Sequence, residues 1–260
     1  MDNMQGKTIK VDGRDVLYYT AGRGEPLVVI HGGGGDARTW RKNIGALAEK
    51  YTVYAPDLPG YGGSQRLDGD YYIPELTDFV DKFAGSLGLE TFYIIGHSLG
   101  GGIALDYTLK FPHKIRKLVL VSSLCLGREI AFWLRLFTLP AIMRSLGAMV
   151  EFIFKSIIWA ARSLNPAKYI MPLSPASVAI GGNISSFREQ TLVLEKRLPD
   201  IKVPTLLVWG GRDPVVPVKQ AYRAAMSIPD CRIEVFKKSG HNVHREQLKK
   251  FSSLITGFLG

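Results

Sequence analysis

Cysteine is scarce. Cys125 and Cys231 are the two in 260 residues, and they show neither metal-ligand nor redox spacing. That excludes a disulfide framework. They read as free core thiols in a reducing compartment, the cytoplasm, with one disulfide as the lesser alternative. No uncharged apolar run reaches the ~18 residues needed to span a bilayer, so no transmembrane segment is expected. Met1 to Lys10 is polar, and no secretory leader is read there. Acidic residues are outnumbered, 23 against 33 Lys and Arg, for a formal net charge of +10. Such a balance suits nucleic acid or anionic surfaces. The basic residues are scattered, however, and no nucleic-acid motif accompanies them. Nucleic acid is therefore set aside as a partner, while contact with an anionic membrane surface stays open. Neither Gly-x-Gly-x-x-Gly nor Gly-Lys-Ser/Thr follows the glycine runs, so no nucleotide site is read. No cofactor and no metal are expected, and the sequence does not specify an oligomeric state.

The apolar share, 46%, is ordinary for a globular chain, and the length suits one domain with an insertion. Thr8 to Thr20 alternates around Asp12-Gly13 and reads as a β-hairpin. Pro26–Ile30, Thr52–Ala55, Thr91–Ile95, Leu118–Ser122, Thr205–Trp209 and Arg232–Phe236 are short strand-like runs. Helical stretches alternate with them: Arg38–Lys50 with Asp36 as cap, Tyr72–Leu87, Ile103–Lys110, Val218–Met226 and His244–Phe258. Strands alternating with helices imply an α/β fold with a doubly wound, mostly parallel sheet. The rhythm breaks between about Leu124 and Asn183, where helical, apolar segments replace strands. The expected organisation is a core of residues 1–123 and 184–260 with a helical cap at 124–183.

Ile94-Ile95-Gly96-His97-Ser98-Leu99-Gly100 is the most informative stretch. An apolar strand runs into Gly-x-Ser-x-Gly, and a helix follows. A serine flanked by glycines at a strand-to-helix turn is a nucleophile elbow. The glycines are needed where the turn leaves no room for side chains, and the serine sits strained at its apex. His31 ends an earlier strand and precedes four glycines, Gly32 to Gly35, whose amides can turn toward a ligand.

Taken together, the segments resemble the cap-bearing serine hydrolases and esterases of the α/β-hydrolase fold. His31-Gly32 is similar to that family's oxyanion loop. Asp57-Leu58-Pro59-Gly60-Tyr61-Gly62-Gly63-Ser64 is similar to its Asp-x-Pro-Gly loop. Gly210-Gly211-Arg212-Asp213 resembles the loop that carries the acid, and Gly240-His241-Asn242 the loop that carries the base. The order Ser98, Asp213, His241 is the order this fold uses. A serine hydroxyl needs an adjacent base, and an acid would hold the imidazole tautomer. Asp57 and Glu234 are poorer acids: Asp57 has a turn role by resemblance, and Glu234 lies inside a strand. His31 is structural by resemblance, His97 points elsewhere beside the nucleophile, His113 lies on an exposed loop, and His244 is structural. The oxyanion hole should use the amide of Leu99 and, by resemblance, that of Gly33, with Gly34 as the alternate register.

Serine at the elbow argues against the family's dehalogenases and epoxide hydrolases, which use aspartate there. The expected reaction is hydrolysis of a small-molecule carboxylic ester with an apolar acyl or alcohol part, through an acyl-enzyme. Carbon–carbon bond hydrolases of aromatic degradation often carry Asn before the serine and Trp after the histidine, where this chain has His97 and Asn242. They remain an alternative, with cofactor-free perhydrolases and a ligand-binding receptor on the same fold. Phe137 and Trp159 of the cap are candidate substrate contacts, since Met and aromatic side chains make adaptable pockets.

Overall fold

Eight strands form one sheet in the order β1-β2-β4-β3-β5-β6-β7-β8. They are β1 Gln5–Val11, β2 Arg14–Ala21, β3 Glu25–Ile30, β4 Tyr51–Pro56, β5 Phe92–His97, β6 Ile115–Val121, β7 Thr205–Gly210 and β8 Cys231–Phe236. This computed structural model describes residues 4–68, 72–129 and 192–260. β1 and β2 pair antiparallel, as do β2 and β4, and every other neighbouring pair is parallel. The hairpin turn expected at Asp12-Gly13 has φ of 48° and 78° at those residues. Positive φ at both central positions matches the right-handed twist of the strands it joins.

The central strands are apolar throughout because helices cover both faces of the sheet. Alternate residues sort to the two faces. Val28 and Ile30 join one core layer with α2 (Ile73–Ser86), α3 (Leu99–Lys110) and α4 (Lys219–Ser227). Leu27 and Val29 join the other, with α1 (Arg41–Leu47) and the C-terminal helix.

Two expected helices are divided. Arg38–Lys50 becomes a 3-10 turn, Ala37–Trp40, followed by α1. Asp36 caps that turn as expected, accepting from the Arg38 amide, but Asp57 Oδ1 takes the Ala37 amide at 2.8 Å and tightens the first turn. The last helix is two pieces, α5 (Val243–Glu246) and α6 (Leu248–Leu259). It breaks at Gln247, whose backbone leaves the helical region (φ −119°, ψ 41°). With that break, both His244 and Phe251 meet the buried Trp40 ring, at centroid distances of 4.5 and 6.2 Å.

After β6, Leu124, Cys125 and Leu126 are buried in the core, and the Leu194 amide donates to the Cys125 carbonyl at 2.9 Å. The described segments that precede and follow residues 130–191 therefore meet at one place in the core. Most of the expected cap, including Phe137 and Trp159, lies outside the described residues. Both cysteines are free thiols. Among the described residues no helix is long and apolar enough to cross a membrane.

The strand order reverses between β3 and β5. From β3 the chain goes to β4 on one side, then crosses to β5 on the other. In open parallel sheets the crevice outside the carboxyl ends at such a switch point is where ligands bind. Gly32 follows β3 there, and Ser98 follows β5.

Candidate active site

Ser98 has φ 53° and ψ −113°, a strained conformation for a residue with a side chain. Its amide donates to the Val121 carbonyl at 2.9 Å, and its carbonyl accepts from Gly101, Gly102 and Leu124 at 3.0 to 3.1 Å. The backbone is thus held from several sides. A Cβ at Gly96 would lie 2.0 Å from the Gly100 oxygen, and one at Gly100 would lie 2.5 Å from the carbonyl oxygens of Ile30 and His31. The two glycines around the serine are therefore steric necessities. The following helix begins at Leu99, four residues earlier than its apolar pattern implied. The glycines at 100–102 hid its start, because glycine is a poor helix former unless close packing demands it.

Asp213 and His241 meet. Nδ1 of His241 lies 2.9 Å from Oδ2 and 3.1 Å from Oδ1 of Asp213. A carboxylate only accepts, so Nδ1 carries the proton and Nε2 is left as the basic nitrogen. The amides of Val215 and Val216 also donate to Asp213 Oδ1, at 2.8 and 3.0 Å. Burial alone would raise the Asp213 carboxyl. The hydrogen bond and charge of His241, with the two amides, outweigh it and hold the carboxyl below its ordinary value. The Glu246 carboxylate accepts from the Gly240 amide at 2.8 Å and braces the loop just before His241.

The loop after β3 lies against the elbow. A Cβ at Gly32 would fall 3.1 Å from Ser98 Cβ, and one at Gly33 would fall 3.9 Å from Leu99 Cβ. His31 is fully buried behind this loop. Its Nε2 accepts from the Leu58 amide at 3.0 Å, and its Nδ1 donates to the Gly32 carbonyl at 2.9 Å. That pairing requires the neutral ring, and burial brings its pKa down to about 4. Asp57, the weaker acid candidate, is committed elsewhere, since its carboxylate takes the amides of Ala37 and Gly63. Glu234 lies in β8, as expected. Among the described residues, no group of three or more His, Cys, Asp or Glu side chains is arranged to hold a metal ion.

One expectation is corrected. His97 does not point away from the site. Its ring lies 4.8 Å from that of His241, and its Nε2 is 3.0 Å from the His241 carbonyl oxygen. The backbone turns so sharply at Ser98 that the preceding side chain faces the loop after β8 rather than the core. The His244 ring also packs against His97, tilted by 51° at 4.5 Å, and neither of its ring nitrogens makes a hydrogen bond among the described residues. Burial holds His244 well below its ordinary pKa. Nothing in the spacing of 97, 241 and 244 signalled that these rings would pack together.

The sequence profile of the alpha/beta hydrolase family matches residues 27–253. The chain belongs to that family. The α/β-hydrolase is 32% identical over 257 residues to the dihydrolipoyllysine-residue acetyltransferase component of the acetoin cleaving system of Cupriavidus necator, covering 96% of this chain and 68% of that one. It is 27% identical to the 2-hydroxy-6-oxo-2,4-heptadienoate hydrolase of Pseudomonas putida, over 98% and 96% of the two chains. Among solved structures, the meta-cleavage product hydrolase of Pseudomonas fluorescens IP01 shares the fold at a TM-score of 0.79 and 24% identity, over 98% of this chain and 97% of that one. A thermophilic esterase from Thermogutta terrifontis does so at 0.75 and 22%, over 98% of each chain.

Proposed function

We propose that this α/β-hydrolase cleaves carboxylic esters with an apolar acyl or alcohol part, through a covalent acyl-enzyme. The observation that carries the reading is the Asp213–His241 hydrogen bond, on a loop that meets His97, the neighbour of the strained Ser98 at the sheet's switch point. Nε2 of His241 takes the proton from Ser98 as Oγ attacks the ester carbonyl. The amides of Leu99 and Gly33, with Gly34 as the alternate register, would stabilise the oxyanion, and the closeness of Gly33 to Leu99 supports their pairing. His241 then returns the proton to the departing alkoxide, and water, activated by the same imidazole, releases the acid. Asp213, held ionised, stabilises the imidazolium. Phe137 and Trp159 of the cap would contact the apolar part of the substrate.

A second reading is favoured by the relatives. Two named carbon–carbon hydrolases, from Pseudomonas putida and Burkholderia cepacia, are 27% and 28% identical over 98% and 92% of this chain. His97 and Asn242 stand where that class often carries Asn and Trp, which keeps the ester reading first. A panel of p-nitrophenyl esters and a vinylogous 1,5-diketone ring-fission substrate, assayed with Ser98→Ala as control, separates the readings. Ester turnover that disappears in Ser98→Ala supports the proposal. Faster cleavage of the diketone replaces it with the second reading, and tight binding without turnover of either points to a receptor.

A further inference from the structure

The His97 side chain is the group in the site for which the reaction above has no use. It is buried, one covalent step from Ser98, and its ring faces His241. A backbone carbonyl cannot donate, so the 3.0 Å approach of Nε2 to the His241 oxygen makes Nε2 the protonated nitrogen. The opposite nitrogen faces the oxyanion loop: a Cβ at Gly32 would fall 2.8 Å from Nδ1. One ring therefore touches three segments far apart in sequence, namely the elbow, the loop after β3 and the loop after β8. The ring also meets His244 at 4.5 Å, which in turn meets Trp40 at 4.5 Å, so His97 is packed among buried aromatic groups. Burial, with the nearby His241 and His31 rings, outweighs the hydrogen bond to the His241 carbonyl and the Asp213 charge and brings its pKa down to about 3. The ring stays neutral and does not oppose the charge that forms on His241 during the reaction.

We propose that His97 is a positioning residue: by donating Nε2–H to the His241 carbonyl, it ties the loop that carries the base to the turn that carries Ser98 and holds imidazole and hydroxyl in register. This rests on the reading of Ser98 and His241 given above. The tie is short. One hydrogen bond links the residue before the nucleophile to the base residue itself, so its loss leaves the two turns held against each other there by ring packing, which does not fix their register. A misplacement of about 1 Å at reacting groups costs on the order of 100-fold in rate.

The test compares His97→Phe, which keeps a ring but no donor, with His97→Gln, which keeps a donor of similar reach. Three quantities are read on the full chain: the rate at which a fluorophosphonate labels Ser98, kcat and KM on the best ester, and the downfield proton resonance of the His241–Asp213 hydrogen bond. The expected result is labelling and kcat reduced about 100-fold in His97→Phe with KM within twofold. The downfield resonance broadens in that variant, and His97→Gln recovers most of the loss. Circular dichroism checks folding, and His97→Leu replaces His97→Phe if the latter does not fold. Wild-type labelling and an unchanged resonance in the donor-less variant would overturn the proposal. So would an equal loss in the folded Gln variant, because the ring's shape rather than its hydrogen bond would then matter. If the wild-type protein itself is not labelled, the nucleophile reading fails instead, and the resonance alone decides whether His97 positions His241.

Discussion

Acidifying this protein from pH 7 to pH 5 should cost it a large part of its stability, through its buried histidines. His31 and His97 are held neutral, with pKa values brought down to about 4 and about 3, and His244 is displaced in the same direction. In the unfolded chain each has the ordinary value of about 6.5. Above that value both states are neutral and the histidines add no pH dependence. As the pH falls below it, the unfolded state takes up protons that the folded state refuses. Stability then falls by up to about 1.4 kcal/mol per histidine per pH unit until the folded pKa is reached. Between pH 7 and 5 this integrates to about 2 kcal/mol each for His31 and His97, or about 4 together, with His244 adding to the loss. Carboxylates, with unfolded values near 4, contribute little above pH 5. A domain has about 5–15 kcal/mol of stability in all, so the loss is about a quarter of it or more. Urea unfolding followed by the fluorescence of the buried Trp40 and Trp209 reads it directly. His97→Gln should flatten the slope by about one proton. A stability that changes by less than about 1 kcal/mol between pH 7 and 5 would refute the reasoning, since the rings would then be accepting protons in the folded state.

Other expectations concern the chemistry and the packing. Ser98→Ala, His241→Ala and the double variant should lose nearly all turnover to similar extents, because the residues act as a unit; a folded His241→Ala that keeps most activity reassigns the base. Gly96→Ala places a Cβ 2.0 Å from the Gly100 oxygen and should cost more than about 3 kcal/mol, read as loss of soluble, cooperatively unfolding protein. Arg223→Ala breaks a two-pronged pair with Glu129, whose carboxyl is brought down to about 2 chiefly by that hydrogen bond. The side chains are 40% and 31% exposed, so the cost should be only about 0.5–1 kcal/mol, seen as a small drop in Tm. Phe137→Ala and Trp159→Ala should each shift the chain-length optimum on monomeric esters, and an unmoved optimum in both removes the cap from substrate selection.

What was legible in the sequence was local. Gly96-His97-Ser98-Leu99-Gly100 largely announces its own turn: the clash that demands Gly96 comes from Gly100 and Gly101, although the one at Gly100 comes from the end of β3. The strands announced themselves by continuous apolar runs, and the Asp12-Gly13 turn by the two residues that accept positive φ. Asp213 and His241 stood out as candidates by the resemblance of their loops to the family's and by their places after core strands. The rest depended on contacts between distant parts of the chain. The strand order that sets Gly32 beside Ser98 is a property of the whole sheet. The break at Gln247 accompanies packing of His244 and Phe251 on Trp40, two hundred residues earlier. The hydrogen bond from His97 to the His241 carbonyl spans 144 residues. No spacing rule reaches that far, so the neutral, clustered histidines behind the site are decided only when tertiary packing removes them from water.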